Sequence, residues 1–182
     1  INDFLPQHAD DTQEWIRGLR RNFGIEQTLE WLDRVEDLRV IIVGETILDV
    51  YTSCQALGKA SKEPVLCMNR IESETHGGGV LAIAEHCAGL GAQVALVSAI
   101  SSRDLEIAPI VDLRRHGIDC HFVQIDPRPT IRKERFIDSN TQARVLEMYE
   151  MDDSPLTEES KLHLRSEIRQ LLPTSDMTLV AD

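Results

Sequence analysis

The chain has 182 residues and a formal net charge of −12 at pH 7. This length is enough to bury the core of one ordinary domain. The acidic charge argues against non-specific binding to nucleic acid or to an anionic membrane, because both require a basic surface. No apolar run approaches membrane-spanning length. The four cysteines form no CxxC pair, which favours a reduced, cytoplasmic protein.

The first 38 residues predict two short helices, over residues 9–23 and 25–38, which we interpret as a linker or an appended element. Apolar residues recur there at helical spacing. They are Trp15, Leu19 and Phe23 in the first helix, and Ile25, Leu29, Leu32 and Val35 in the second. We expect Trp15 and Trp31 to be packing residues rather than ligand platforms. The first residue is Ile1 rather than Met, and with a strand pattern at the end this leads us to expect a piece of a longer chain.

The rest of the chain alternates buried strands with helices. Continuous apolar runs at Val40–Gly44, Gln93–Ile100 and Met177–Asp182 are typical of strands covered on both faces. Helices are predicted from Gly79 to Leu90 and from Glu158 to Leu172. This order indicates an α/β fold with a doubly wound, mostly parallel sheet.

Two segments interrupt that alternation, Tyr51–Ser73 and Arg128–Met151. Both contain short β-like pieces around a polar middle, so we expect a small second sheet that covers one edge of the main sheet. A further helix should begin near Ala108, because Pro109 is tolerated in a first turn but not in a helix interior.

Polar residues and glycines follow the predicted strands. Ligands of open α/β sheets bind beyond the carboxyl ends of the strands, where Asp49 and Asp182 are expected to lie. An ionised Asp49 could accept hydrogen bonds from sugar hydroxyls; the alternative is a capping or surface carboxylate. The triplet Gly77–Gly79 could present free backbone N–H groups to a ligand at a helix N-terminus, or could simply form a tight turn.

Basic residues are concentrated between Arg132 and Arg135 in this acidic chain. Strand alternation puts Lys133 and Arg135 on one face, where they could hold a phosphate. The alternative is a solvated strand face with cross-strand partners. The six histidines have no metal-ligand spacing, and we predict neither a metal site nor a nucleophile–base pair.

Four segments in order resemble the ribokinase-like (PfkB) carbohydrate kinases over about residues 39–182. They are "VIIVGETILDVY", "GKASKEP", "GGGVLAIAEHCAGLGAQVALVSAI" and "RPTIRKERFI". The subgroup that they resemble most is the kinase part of bacterial heptose-phosphate kinase/nucleotidyltransferase proteins. The resemblance implies the N-terminal half of a ribokinase-like fold, with sugar held by Asp49, Gly77 and Gly78. Lys133 and Arg135 would match the basic positions of the family's lid strand.

The chain departs from the family pattern at several positions. Leu81 stands where the family usually has Asn after the glycines, and Ser101–Asp104 stand where it has Gly-x-Asp. The family's Gly-Ala-Gly-Asp turn, which carries the catalytic base, is absent from the 182 residues. We therefore expect no catalytic residue in this chain. Asp182 resembles the start of an Asp-Phe/Tyr-Gly loop of the family and not this catalytic base.

These observations lead to two alternative functional hypotheses. The first is the sugar-binding half of an ATP-dependent sugar or sugar-phosphate kinase, inactive alone, whose complete parent uses ATP and Mg²⁺. The second is a non-catalytic assembly or sugar-sensing module. We assign residues 1–38 to the helical element and 39–182 to the kinase domain, with lid segments near 51–70 and 130–148. The resemblance also implies a homodimer through the lid strands.

Overall fold

The computed structural model of the chain describes residues 9–181, so the predicted role of Asp182 lies outside the described residues. Two helices come first: α1 (Asp10–Asn22) and α2 (Ile25–Asp33), followed by a 3₁₀ turn at Arg34–Asp37. Both lie close to their predicted bounds. Trp15 is 65% exposed, and Trp31, which contacts Phe23, is 46% exposed, so neither tryptophan is buried in this part of the chain.

Seven strands and three more helices follow. The strands are β1 (Arg39–Lys59), β2 (Leu66–Gly79), β3 (Gln93–Ile100), β4 (Asp119–Gln124), β5 (Ile131–Asp138), β6 (Arg144–Glu150) and β7 (Met177–Ala181). The helices are α3 (Val80–Gly89), α4 (Ala108–Arg115) and α5 (Glu158–Leu171). Between residues 9 and 181, no helix combines the length and the apolar composition that crossing a membrane requires.

The helix ends follow local chemistry. Gly91 has a φ of +98°, a left-handed conformation that suits the end of α3. Pro109 lies in the first turn of α4, as expected. The hydroxyl of Thr157 accepts a hydrogen bond from the backbone N–H of Ser160 at 3.1 Å and so caps α5.

The strands form a parallel sheet and a second, mixed sheet that share β1. The parallel sheet has the order β4-β3-β1-β7, and the second sheet has the order β2-β1-β5-β6. We call the second sheet the lid sheet. Its β2–β1 and β5–β6 pairs are antiparallel. The α/β fold with a mostly parallel sheet and a small β lid is thereby confirmed.

The main core lies between the parallel sheet and helices α3 and α4. Its fully buried side chains include Ile42 and Leu96 from the strands, Leu81 from α3 and Leu113 from α4. These residues come from the apolar runs and helix faces that predicted the layers, because a parallel sheet covered by helices must bury continuous apolar strands.

Strand β1 passes from one sheet to the other near Gly44. Residues Arg39–Gly44 pair with β3 and β7, whereas Ile47–Cys54 pair with β5. At the crossing, Ser98 donates a hydrogen bond to the carbonyl of Gly44 at 2.7 Å. Since that hydroxyl has one proton, the buried hydroxyl of Thr46 is the donor in its 2.7 Å bond to Ser98. The crossing therefore has its polar groups satisfied.

Helix α5 is held against β4 by His121. The imidazole lies 2.8 Å from a carboxylate oxygen of Glu167 through Nδ1 and 2.9 Å from Asp119 through Nε2. His163 lies beside the same Glu167, at 3.5 Å. Partial burial lowers the pKa of His121, but the hydrogen bonds to Asp119 and Glu167 outweigh burial and the pKa is raised.

Substituting His121 by glutamine should therefore destabilise the chain more at acidic than at alkaline pH. The pKa of His121 is higher in the folded than in the unfolded chain, so the imidazolium stabilises the fold fully below the unfolded-state pKa of about 6.5. This stabilisation is lost as the pH rises through the folded-state pKa. Because the site is partly exposed, we expect about 1 kcal/mol or less at pH 5.5. Melting curves of wild type and His121→Gln at pH 5.5 and 9 measure this difference in stability. The control is His86→Gln, at an exposed position on α3. A difference that grows with pH would contradict the assignment.

Candidate sugar site on the lid sheet

The candidate residues lie on one face of the lid sheet, in two adjacent rows. In the first row, Asp49 of β1 pairs with His76 of β2 on one side and with Lys133 of β5 on the other. In the second row, Tyr51 pairs with Glu74 and Arg135. Paired residues and residues two apart on a strand share a face, so the register brings Asp49, Lys133 and Arg135 together.

The three glycines adjoin this face, but in a conformation that differs from the expected one. They are the last residues of β2 and pair with β1, with Gly77 opposite Leu48 and Gly78 opposite Ile47. Only Gly79, with a φ of +54°, forms the turn into α3. The prediction that the triplet opens the helix is therefore wrong for its first two residues, because they are paired in the sheet.

The missing side chain of Gly78 makes room for the carboxylate of Asp49. A Cβ built on Gly78 would lie closer than 3.0 Å to Oδ2 of Asp49, which is nearer than real Cβ atoms come. A Cβ on Gly77 would meet Cβ of Leu81 at 2.9 Å. Two of the glycines thus allow close approach, one to a candidate ligand-binding carboxylate and one to the helix core.

Arg135 is the partner of Asp49 within the protein. Its Nη1 donates a hydrogen bond to Oδ1 of Asp49, and the side chains are 17% and 23% exposed. The guanidinium lies over the ring of Tyr51, with 5.3 Å between its central carbon and the ring centroid. The hydrogen bond to Asp49 and the charge of that carboxylate raise the pKa of Arg135 despite partial desolvation. Asp49 is therefore an acceptor that already has one cationic partner.

One donor of Arg135 remains unused. Its Nε is buried and has no hydrogen-bond partner among residues 9–181. A carboxylate oxygen of Glu147 lies 3.5 Å away, near enough for an ion pair but outside hydrogen-bond geometry. A buried donor without an acceptor is costly, and a bound acceptor that reached this edge of the guanidinium would relieve that cost.

Three further side chains complete the face, and the sequence pattern does not indicate them: Tyr51, His76 and Tyr149. The ring of Tyr51 makes an edge contact with His76, with 5.7 Å between centroids. Nζ of Lys133 lies 5.9 Å from the ring centroid of Tyr149. Only the strand register shows that these residues lie near Asp49. His76 and Tyr149 are distant from it along the chain, and Tyr51 belongs to no recognisable motif. Together the face offers the cations of Lys133 and Arg135, aromatic edges, and three carboxylates, those of Asp49, Glu74 and Glu147. The cations could hold a phosphate group and the carboxylates could accept hydrogen bonds from hydroxyls.

Two cavities lie outside this face. One of about 220 Å³ lies where β1 leaves the parallel sheet and β3 ends, and is lined by Gly44, Thr46, Ala99 and Leu164, among others. A larger one, of about 460 Å³, lies at the opposite end of the sheet beside Arg39 and Asp119. The first is at the edge where ligands of α/β sheets bind. The second is on the side away from Asp49.

Within residues 9–181, no group of three or more His, Cys, Asp or Glu side chains is arranged to hold a metal ion. The basic residues of the lid sheet likewise form no phosphate-binding loop of the Walker type, since no Gly-Lys-Ser/Thr segment occurs in the sequence.

No protein-family model matches the chain. The chain is similar to curated proteins. The bifunctional protein HldE of Alcanivorax borkumensis is 33% identical over 132 residues, which are 69% of this chain and 27% of the relative. The HldE of Shewanella sp. is 29% identical over 154 residues, which are 83% of this chain and 31% of the relative. The chain therefore spans about a quarter to a third of the length of these relatives.

Solved structures show the same fold. A carbohydrate kinase from Agrobacterium tumefaciens superposes with a TM-score of 0.56 at 14% identity, covering 79% of this chain and 45% of that one. A proposed phosphofructokinase from Staphylococcus aureus gives a TM-score of 0.58 at 13% identity, covering 80% and 44%. The HldE relatives and this shared fold confirm the resemblance to the ribokinase-like (PfkB) carbohydrate kinases, with the chain corresponding to the N-terminal half of that fold.

Proposed function

We propose that the chain is the sugar-binding half of an ATP-dependent kinase for a sugar or sugar phosphate of the heptose-phosphate type. One observation carries the proposal: the carboxylate of Asp49 lies over Gly78 and beside Arg135, on a face shared with Lys133. The carboxylate would accept hydrogen bonds from sugar hydroxyls, while Lys133 and Arg135 would hold a phosphate group on the ligand.

In this proposal ATP and Mg²⁺ belong to the complete parent protein. The 182 residues contain no Gly-Ala-Gly-Asp turn, and the described residues present no cluster that fits a metal ion. The contribution of this half is to bind and orient the acceptor sugar, and positioning is a large share of catalysis in phosphoryl transfer. We place the protein in the cytoplasm, which the four free cysteines support.

The 182-residue chain should bind a sugar phosphate without turning over ATP. Calorimetric titration with a heptose phosphate, the unphosphorylated heptose and ribose measures binding, and we expect the phosphate to improve affinity about tenfold or more through charge-assisted hydrogen bonds. A coupled ADP assay measures turnover. ATP-dependent turnover by the purified chain, with contaminating kinase excluded, would contradict the assignment, as would equal affinity for all three sugars.

A non-catalytic, sugar-sensing module is the second candidate, and Leu81 favours it. This residue stands where kinases of the family usually carry Asn, and its side chain is fully buried in the core between α3 and the sheet. A buried leucine cannot contact a sugar, so one polar contact of the family pattern has no counterpart at this position. Sugar binding without turnover in every longer form of the protein would favour this module.

We also propose that the lid sheet mediates a homodimer through its face opposite Asp49. Leu146 and Met148 of β6 alternate with Glu147 and Tyr149 and therefore lie on that opposite face. They are 53% and 55% exposed, and Leu66 of β2 is 57% exposed. β2 and β6 are the two edge strands of the lid sheet, and exposed apolar residues on them favour burial against a second copy.

Light scattering over a range of concentrations tests the lid dimer. Substituting Leu146 and Met148 by glutamate should raise the dissociation constant about a hundredfold, because each change places a charge in an apolar contact. Leu90→Glu at the end of α3, where the leucine is 55% exposed, is the matched control. A wild-type chain that stays strictly monomeric at high concentration would refute the dimer.

A further inference from the structure

Helices α1 and α2 present an apolar surface that remains exposed. Seven large apolar side chains of this helical pair are between 42% and 77% exposed: Trp15, Leu19, Phe23, Ile25, Leu29, Trp31 and Leu32. The ring of Phe23, directly after α1, contacts the ring of Trp31 in α2, with 5.7 Å between centroids, so apolar side chains of the two helical segments meet there. We call these seven residues the helical-pair face. Exposed apolar clusters of this kind mark interaction sites.

The charges of α1 are divided between its ends. Asp10 and Asp11 lie in the first turn, and Arg20 and Arg21 lie in the last turn. The helix is close to neutral as a whole, within a chain whose net charge is −12. Two copies of the chain repel one another over most of their surface, so α1 is a segment through which they can approach at low electrostatic cost.

We propose that the helical-pair face binds a second copy of this chain, with the two α1 helices antiparallel about a two-fold axis. In that arrangement the acidic first turn of one helix faces the basic last turn of the other, and the reverse contact occurs at the other end. A parallel arrangement would place like charges together. A two-fold axis makes the face complementary to itself.

The residue types of the surface agree with this occupant, because tryptophan and phenylalanine are enriched at protein–protein interfaces. An anionic membrane fits less well, because Asp10, Asp11 and Glu14 offset the arginines that would attract it. The contact lies on an element separate from the lid sheet, so it does not depend on the proposed lid dimer.

A charge-reversal experiment tests the arrangement. One variant carries Arg20→Glu and Arg21→Glu, which makes both ends of α1 acidic; the other carries Asp10→Lys and Asp11→Lys, which makes both ends basic. Each variant alone should self-associate through this face about tenfold or more weakly than wild type in sedimentation velocity, because like charges then oppose each other. An equimolar mixture of the two should recover the association, since acidic ends then meet basic ends at both positions.

The matched control reverses Arg114 and Arg115 on α4, an equal change of charge away from the face. Circular dichroism shows whether α1 remains helical in each variant, and Trp15→Ser, which leaves all charges in place, gives a second way to weaken the contact. Recovery in the mixture supports the proposal. Three results would overturn it: equal association of wild type and all variants, weakening without recovery in the mixture, or a wild type that associates only with phosphatidylcholine–phosphatidylglycerol vesicles.

Discussion

Replacing Asp49 by alanine should weaken sugar-phosphate binding about ten- to a hundredfold, because a lost charge-assisted hydrogen bond typically costs about 1.5–3 kcal/mol. The carboxylate lies on the face that also carries Lys133 and Arg135, and Gly78 leaves its Oδ2 uncovered by a side chain. A sugar hydroxyl could therefore donate to Oδ2 while Oδ1 accepts the hydrogen bond from Arg135.

The same substitution should also lower the free energy of unfolding. Removing Asp49 leaves the guanidinium of Arg135, whose side chain is 17% exposed, without its hydrogen-bonded partner, and Nε already lacks one. We expect a loss of about 1–3 kcal/mol. Asp49→Asn keeps an acceptor for Arg135 and so separates the two effects.

Calorimetric titration with a heptose phosphate, together with melting curves, measures both quantities for wild type, Asp49→Ala and Asp49→Asn. Asp153→Ala, at an exposed position before α5, controls for a general change of charge. An unchanged affinity in a variant that melts cooperatively would assign Asp49 a structural role, as the partner of Arg135 alone.

Replacing Gly44 by alanine should lower the free energy of unfolding by about 3 kcal/mol, since overpacking at a rigid site costs this much. A Cβ there would lie closer than 3.0 Å to the backbone oxygen of Ala181 and to Cγ1 of Val80. A side chain can rotate away, but the carbonyl of Ala181 belongs to β7, so the strand itself must shift. In a domain of this size the loss corresponds to a fall in Tm of roughly 6–12 °C.

Thermal melts of Gly44→Ala and Gly18→Ala measure this effect. Gly18 lies in α1, and nothing approaches within 4 Å of a Cβ placed there. That control should be neutral or stabilising by about 0.5–1 kcal/mol, because alanine is a better helix former than glycine. A Gly44→Ala protein with the Tm of wild type would show that β7 does not pack against β1 in solution.

The layers of the fold could be predicted because each has a local cause. The apolar run Gln93–Ile100 matches β3 residue for residue, and Pro109 placed the start of α4 correctly. The extent of β1 could not be predicted. Its apolar run ends at Gly44, but the strand continues to Lys59, because the pairing with β2 and β5 comes from distant segments that no local pattern reveals.

The candidate site shows the same limit. Alternation alone put Lys133 and Arg135 on one face of β5. The pairing of Arg135 with Asp49 joins residues 86 apart in sequence, and it depends on the register of two parallel strands. The glycines of β2 were interpreted as a turn because three successive glycines usually mark one. In the structure they belong to a strand, because β2 pairs antiparallel with β1. Glycines have no side chains, so they show no alternation of apolar and polar residues from which a strand could be predicted.

The 21-residue strand β1 also determines how the lid sheet can move. A lid attached by loops swings as a separate body, but this one is built on the same strand that crosses the centre of the parallel sheet, between β3 and β7. Any displacement of the lid must bend or twist β1 near Gly44 and Thr46, where the strand passes from one sheet to the other. A displacement of the lid sheet would therefore also act on the pairing of β1 with β3 and β7 in the core.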